Sequence, residues 1–119
     1  MTRQRCELGE AGEAIAARHL ERNGYRILAR RFRAAGREID LVARRGGVIA
    51  IVEVKTRSGD PMAPPETAVD RRKRRQILAA ARVAAARWPA RGYRFDVIAV
   101  TRGKKGVEVR HIEDAFRPG

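Results

Sequence analysis

Glu38-Ile39-Asp40-Leu41-Val42-Ala43-Arg44-Arg45-Gly46-Gly47-Val48-Ile49-Ala50-Ile51-Val52-Glu53-Val54-Lys55 is the stretch on which the fold turns. Glu38 to Ala43 reads as one strand and the apolar run Val48 to Val54 as the next, with Gly46-Gly47 supplying the positive φ values of a tight hairpin turn. Strand side chains alternate, so Glu53 and Lys55 share a face with Ile49 and Ile51 while Val52 and Val54 share the other, and both faces are largely apolar. With paired strands about 4.8 Å apart, Asp40 can stand close to Glu53.

Outward from the hairpin, Tyr25 to Phe32 predicts a further strand whose later residues are heavily cationic, which suits a sheet edge. Before it, Glu7 to Asn23 has helical periodicity and Gly24 a C-terminal stop. Leu8, Ile15, Ala16, Ala17 and Leu20 form one apolar arc of that helix, and Glu13 falls inside it. After the hairpin, the Gly- and Pro-containing stretch 58–65 interrupts the sheet. Glu66 to Trp88 predicts a long helix closed by Pro89, and Tyr93 to Val100 with Val107 to Ile112 a last strand pair. The order helix, three strands, helix, two strands predicts a single α/β domain over residues 1–119, with a mixed central sheet of about five strands flanked by helices.

Two carboxylates held together are unfavourable unless a proton or cation lies between them, and oxygen donors of this kind suit Mg²⁺ or Mn²⁺. Asp40 and Glu53 are the candidate ligands, and Lys55 is placed to hold an attacking water or steady charge on a phosphate. The chain has four lysines against 23 arginines, so a lysine at position 55 escapes a strong preference. A compact ammonium approaches a water more closely than a guanidinium does. With 14 acids and four lysines, an acid-x-Lys triplet is expected roughly 0.5 times by chance, so its placement on a strand carries more than its presence. The competing reading makes Glu53 and Lys55 a same-face ion pair and leaves Asp40 solvated. Glu13 is open between a metal role and pairing with an arginine from the sheet.

A formal net charge of +13 over 119 residues favours a polyanionic partner, nucleic acid first. No apolar run near the length of a membrane span occurs, and no basic amphipathic helix with bulky apolar anchors, so no membrane partner is expected. Five consecutive cations, Arg71 to Arg75, open the second helix, where they oppose the helix dipole unless an anion is present. Arg57, Arg72, Lys73 and Gln76 are the candidate nucleic-acid contacts, against the alternative of a solvated basic face. Cys6 is the only cysteine and the first residues lack a secretory apolar region, so a reducing, cytoplasmic location is expected. His19, His111 and Trp88 read as packing or surface residues, and Asp96 as a buried partner for a basic residue.

In Gly9, Gly12-Glu13, Ala16, Glu38-Ile39-Asp40-Leu41, Val52-Glu53-Val54-Lys55, Arg57, Lys73, Arg94-Phe95-Asp96-Val97, His111-Ile112 and Ala115-Phe116 the chain resembles the YraN-like bacterial proteins, a group described as predicted endonucleases. The resemblance implies a restriction-endonuclease-like core of the PD-(D/E)xK type, similar to archaeal Holliday-junction resolvases, in which a helix glutamate joins the strand carboxylates around magnesium. By position, Glu13, Asp40 and Glu53 become ligands or their supports and Lys55 the catalytic lysine. Arg37 replaces a glycine usual in that group, and Arg31 stands where asparagine is frequent. The resemblance implies metal-dependent phosphodiester hydrolysis, with DNA ahead of RNA and branched or structured DNA in view, and junction-cleaving relatives make a homodimer an expectation. The rival expectation is a nucleic-acid-binding module that keeps the fold without turnover.

Overall fold

The computed structural model describes residues 3–59 and 71–117, with the side chains of residues 3–10, Arg71, Lys73 and Arg74 outside that description. Along the chain run α1 (Arg3–Arg22), β1 (Arg26–Ala34), β2 (Arg37–Arg45), β3 (Val48–Ser58), α2 (Arg71–Arg87), β4 (Gly92–Gly103) and β5 (Gly106–Ile112). The predicted start of the second helix at Glu66 lies outside the described residues. Among those described, the five strands form one sheet in the order β1-β2-β3-β4-β5. Only the β3–β4 pair is parallel, since α2 carries the chain back across a face between them. The α/β fold with a mixed sheet, a restriction-endonuclease-like core, is the one the sequence predicts.

Helix α1 closes with a Schellman motif: Tyr25 N–H donates to Leu20 O and Gly24 N–H to Glu21 O, at 3.0 and 3.1 Å, with Gly24 at φ +86°. Ala16, Ala17 and Leu20, fully buried, then press on Leu41, Ala43, Ala50, Val52, Ile98 and Val100. On the opposite face Ile49, Ile51, Ile39 and Val42 meet Ala80, Ala81 and Ala84 of α2. Trp88 packs edge-on against Phe32, ring centres 5.1 Å apart. Buried on both faces, β3 has the continuous apolar run that a central strand requires.

Strand β3 outruns its predicted end at Val54 and continues to Ser58, because β4 pairs with it as far as Ser58–Arg102. β1 is an edge strand, as its cations suggested. It is also kinked: Arg31 sits at φ 51°, opposite the stretch of β2 that contains Asp40. Asp96, wholly buried on β4, accepts from Arg94 Nε and Nη2 at 2.8 Å each and from Asp114 N–H at 3.0 Å, and lies 2.7 Å from His111 Nε2. This network ties β4, β5 and the C-terminal segment, and Arg94 extends it to the Tyr25 hydroxyl.

Candidate metal centre

Strands β2 and β3 pair only as far as Leu41–Val52. The expected register would set Asp40 directly against Glu53; instead the strands part there, and Asp40 Oδ2 accepts the Val54 N–H at 2.7 Å. The carboxylate takes the place of a backbone acceptor at the point of divergence, so its position is fixed by the sheet itself. Its remaining oxygen capacity faces a small cleft lined by Asp40, Glu38, Arg37, Glu53, Ile77 and Phe116 among others.

Three carboxylates converge around Asp40, two of which, Asp40 and Glu38, line this cleft. Oxygens of Glu13, Glu38 and Asp40 all lie within 4.8 Å of one another. Glu13 arrives from α1, which approaches β3 closely at Gly12: a Cβ there would collide with the Thr56 hydroxyl. Gly12→Ala is therefore expected to push α1 off the sheet and destabilise the fold by about 1–3 kcal/mol, the usual range for overpacking, which thermal unfolding measures. An unchanged Tm together with unchanged metal affinity would show that Glu13 does not depend on this contact.

Burial pushes Asp40 up to about 6, against the stabilising Val54 N–H and with the charges of Glu13, Glu53 and Glu38 adding to the rise. Burial and the neighbouring acids thus disfavour the Asp40 charge, and hard oxygen donors suit a divalent cation of the magnesium type. The residues present therefore fit such an ion, with Asp40 at the centre and Glu13 and Glu38 beside it. Since a ligand must be deprotonated, affinity for Mn²⁺ should fall about tenfold per pH unit below about 6 and be flat above it, as calorimetric titration across that range would read. In the metal-free chain the folded carboxyl holds its proton above the unfolded value of 3.8, so Asp40's contribution to stability is lost as pH rises through about 6.

Glu53 lines the same cleft, but its Oε1 lies 3.5 Å from Arg37 Nη2 and 3.4 Å from Lys55 Nζ. Lys55 thus shares the face and the neighbourhood of Glu53. Glu13 has the sheet arginine allowed for it, Arg31, whose Nε donates to Glu13 Oε2 at 2.9 Å. Arg57 donates from Nε to the Thr101 hydroxyl at 3.2 Å. On α2, Arg72 and Gln76 are exposed, while Ile77 of the same helix lines the cleft. The side chain of Lys73 lies outside the described residues. Glu38 is the member that sequence reasoning passed over, although its position two residues before Asp40 on one strand is a signal that could have found it. No described helix is long and apolar enough to cross a membrane.

An α/β domain with a mixed five-stranded sheet and a helix packed on each face has a restriction-endonuclease-like core. A profile of the family described as "Uncharacterised protein family UPF0102" matches residues 12–100, which include Glu13, Glu38, Asp40, Glu53 and Lys55. A UPF0102 protein of Geobacter metallireducens is 44% identical over 115 residues, covering 92% of this chain and 91% of the relative. One of Syntrophotalea carbinolica is 47% identical over 118 residues, covering 98% and 96%, and one of Roseiflexus castenholzii 46% over 112 residues, covering 92% and 90%. The chain belongs to the UPF0102 family, the YraN-like group that its motifs resemble.

Proposed function

We propose that this protein is a divalent-metal-dependent endonuclease that hydrolyses phosphodiester bonds in nucleic acid, DNA ahead of RNA. One observation carries the reading: Asp40, pinned at the β2–β3 divergence, gathers Glu13 and Glu38 within 4.8 Å beside the Glu53–Lys55 pair, in a chain of net charge +13. Asp40, Glu13 and Glu38 would hold Mg²⁺ or Mn²⁺, with Glu53 lining the cleft that Asp40 and Glu38 also line. Such an ion, when bound, lowers the pKa of a water and stabilises charge on the phosphate.

The chain's own groups supply the rest. Asp40 stays fixed because its second interaction is with backbone, so the donor geometry costs little reorganisation. Lys55 carries a compact positive charge to the rim beside Glu53, where it orients a water or steadies the phosphate oxygens. Arg72 and Gln76, both exposed on α2, would provide phosphate contacts.

A second reading, a nucleic-acid-binding module without turnover, draws on the approach of both Arg37 and Lys55 to Glu53 Oε1, which neutralises that carboxylate internally. The two part on one assay. Branched, single-stranded and duplex DNA, and RNA, are incubated with the chain in Mg²⁺, in Mn²⁺ and in chelator. Metal-dependent cleavage of any of them supports the endonuclease; tight binding with no product under every condition supports the module.

A further inference from the structure

Each of the three acids around Asp40 is met by one arginine of the same hairpin. Arg31 Nε stands 2.9 Å from Glu13 Oε2, Arg33 Nε 3.2 Å from Glu38 Oε2 and Arg37 Nη2 3.5 Å from Glu53 Oε1. Arg31 and Arg33 belong to the outermost strand of the sheet, and Arg37 to the first position of β2. Strand β1 also carries Arg26 and Arg30, both exposed, so four of its nine residues are arginine. An edge so cationic resists pairing with a further strand and attracts a polyanion.

The two pairs made from β1 are weak by their exposure, whereas Arg37 and Glu53 are only 19% and 18% exposed. The Arg31 and Arg33 side chains are 48% and 85% exposed, and ion pairs of this kind contribute about 0–1 kcal/mol. Arg31 moreover holds φ 51°, a left-handed backbone that costs an L-residue about 1–2 kcal/mol, and its guanidinium meets the helix acid from there. A guanidinium cannot leave a carboxylate charge bare, but it leaves readily when another cation takes its place.

We propose that the β1–β2 hairpin is a nucleic-acid backbone contact surface whose Arg31, Arg33 and Arg37 pass from the site's carboxylates to substrate phosphates when those carboxylates take up a divalent cation. The inference rests on the metal-centre reading above and adds to it a coupling: cation binding and nucleic-acid binding reinforce each other, and by linkage they do so equally in both directions. Without the cation the arginines neutralise the acids and are withheld from phosphate. With it, the same side chains line the path of the backbone on the side of the cleft opposite α2.

The test is equilibrium binding of a labelled DNA duplex over a range of salt, with Ca²⁺ or with chelator, alongside calorimetric Mn²⁺ titration in the absence of DNA. In Ca²⁺ the unaltered chain is expected to bind more tightly, with a log–log salt slope steeper by about 2–3, since each phosphate gained adds about 0.9. A variant carrying Arg31→Asn, Arg33→Gln and Arg37→Gln should lose that change of slope and bind Mn²⁺ more tightly than the unaltered chain. Asparagine tolerates the left-handed backbone at position 31, so the variant is expected to fold, which circular dichroism checks. Equal slopes with and without Ca²⁺ in the unaltered chain, or a variant that keeps the full change, would overturn the exchange while leaving the metal centre standing. Absence of Mn²⁺ binding in both chains would overturn the metal centre and the exchange with it.

Discussion

Asp40→Asn combined with Glu53→Gln should lower Mg²⁺-dependent cleavage by at least about a thousandfold, because the charge that a bound cation needs at the centre of the cleft is gone. A metal contributes several kcal/mol of transition-state stabilisation, and about 4 kcal/mol corresponds to three decades of rate. The fold should survive. An asparagine oxygen at position 40 can still accept the Val54 N–H, so the strand divergence keeps its partner. Burial and three neighbouring acids raise the Asp40 carboxyl to about 6, so at neutral pH the metal-free protein gains rather than loses stability when that charge is removed. A thermal midpoint at or above that of the unaltered chain, with cleavage abolished, is the expected pair of results. Cleavage at the original rate in a folded double variant would place the chemistry elsewhere.

Asp96→Ala should act in the opposite sense, leaving the cleft intact and weakening the fold by about 3–5 kcal/mol, the range for removing one member of a buried charged pair. The carboxylate is wholly buried and engages Arg94 twice, His111 and the Asp114 N–H, so its loss removes the shared acceptor that ties β4 to β5 and the C-terminal segment. For a chain of this size that is a fall in Tm of more than about 10 °C. Burial alone would raise the Asp96 carboxyl, but hydrogen bonds from His111, Arg94 and Asp114 N–H, with the Arg94 charge, hold it at about 2. Its stabilisation is therefore present above the unfolded value of 3.8 and is lost as pH falls through about 2. Urea titrations of both proteins at neutral pH measure the difference, and a change under about 1 kcal/mol would mean that water substitutes for the carboxylate.

The two acids show how much a sequence reveals and where it stops. The hairpin around Gly46-Gly47 is legible because alternation and a glycine pair are local signals, and Gly24 announces the end of α1 in the same way. Asp96 could be expected to be buried against a base because Phe95 and Val97 flank it, yet its partners His111 and Asp114 come from distant segments. The turn of Asp40 toward Val54 N–H depends on where β2 and β3 separate, which no local pattern encodes. The left-handed kink at Arg31 has no signal either, since a non-glycine residue there is held by its surroundings. Glu38 was passed over because an exposed acid beside arginines resembles any surface pair until the helix brings Glu13 to it.

A metal centre here requires a doubly charged ion to settle where Asp40, Glu13 and Glu38 converge. Crystals soaked in Mn²⁺ and measured for anomalous scattering test this directly. A single strong peak in contact with Asp40 and at least one of the two glutamates is the predicted result. A fully bonded Arg31–Glu13 and Arg37–Glu53 pair around an empty cleft, with Mn²⁺ in large excess over protein, would contradict it.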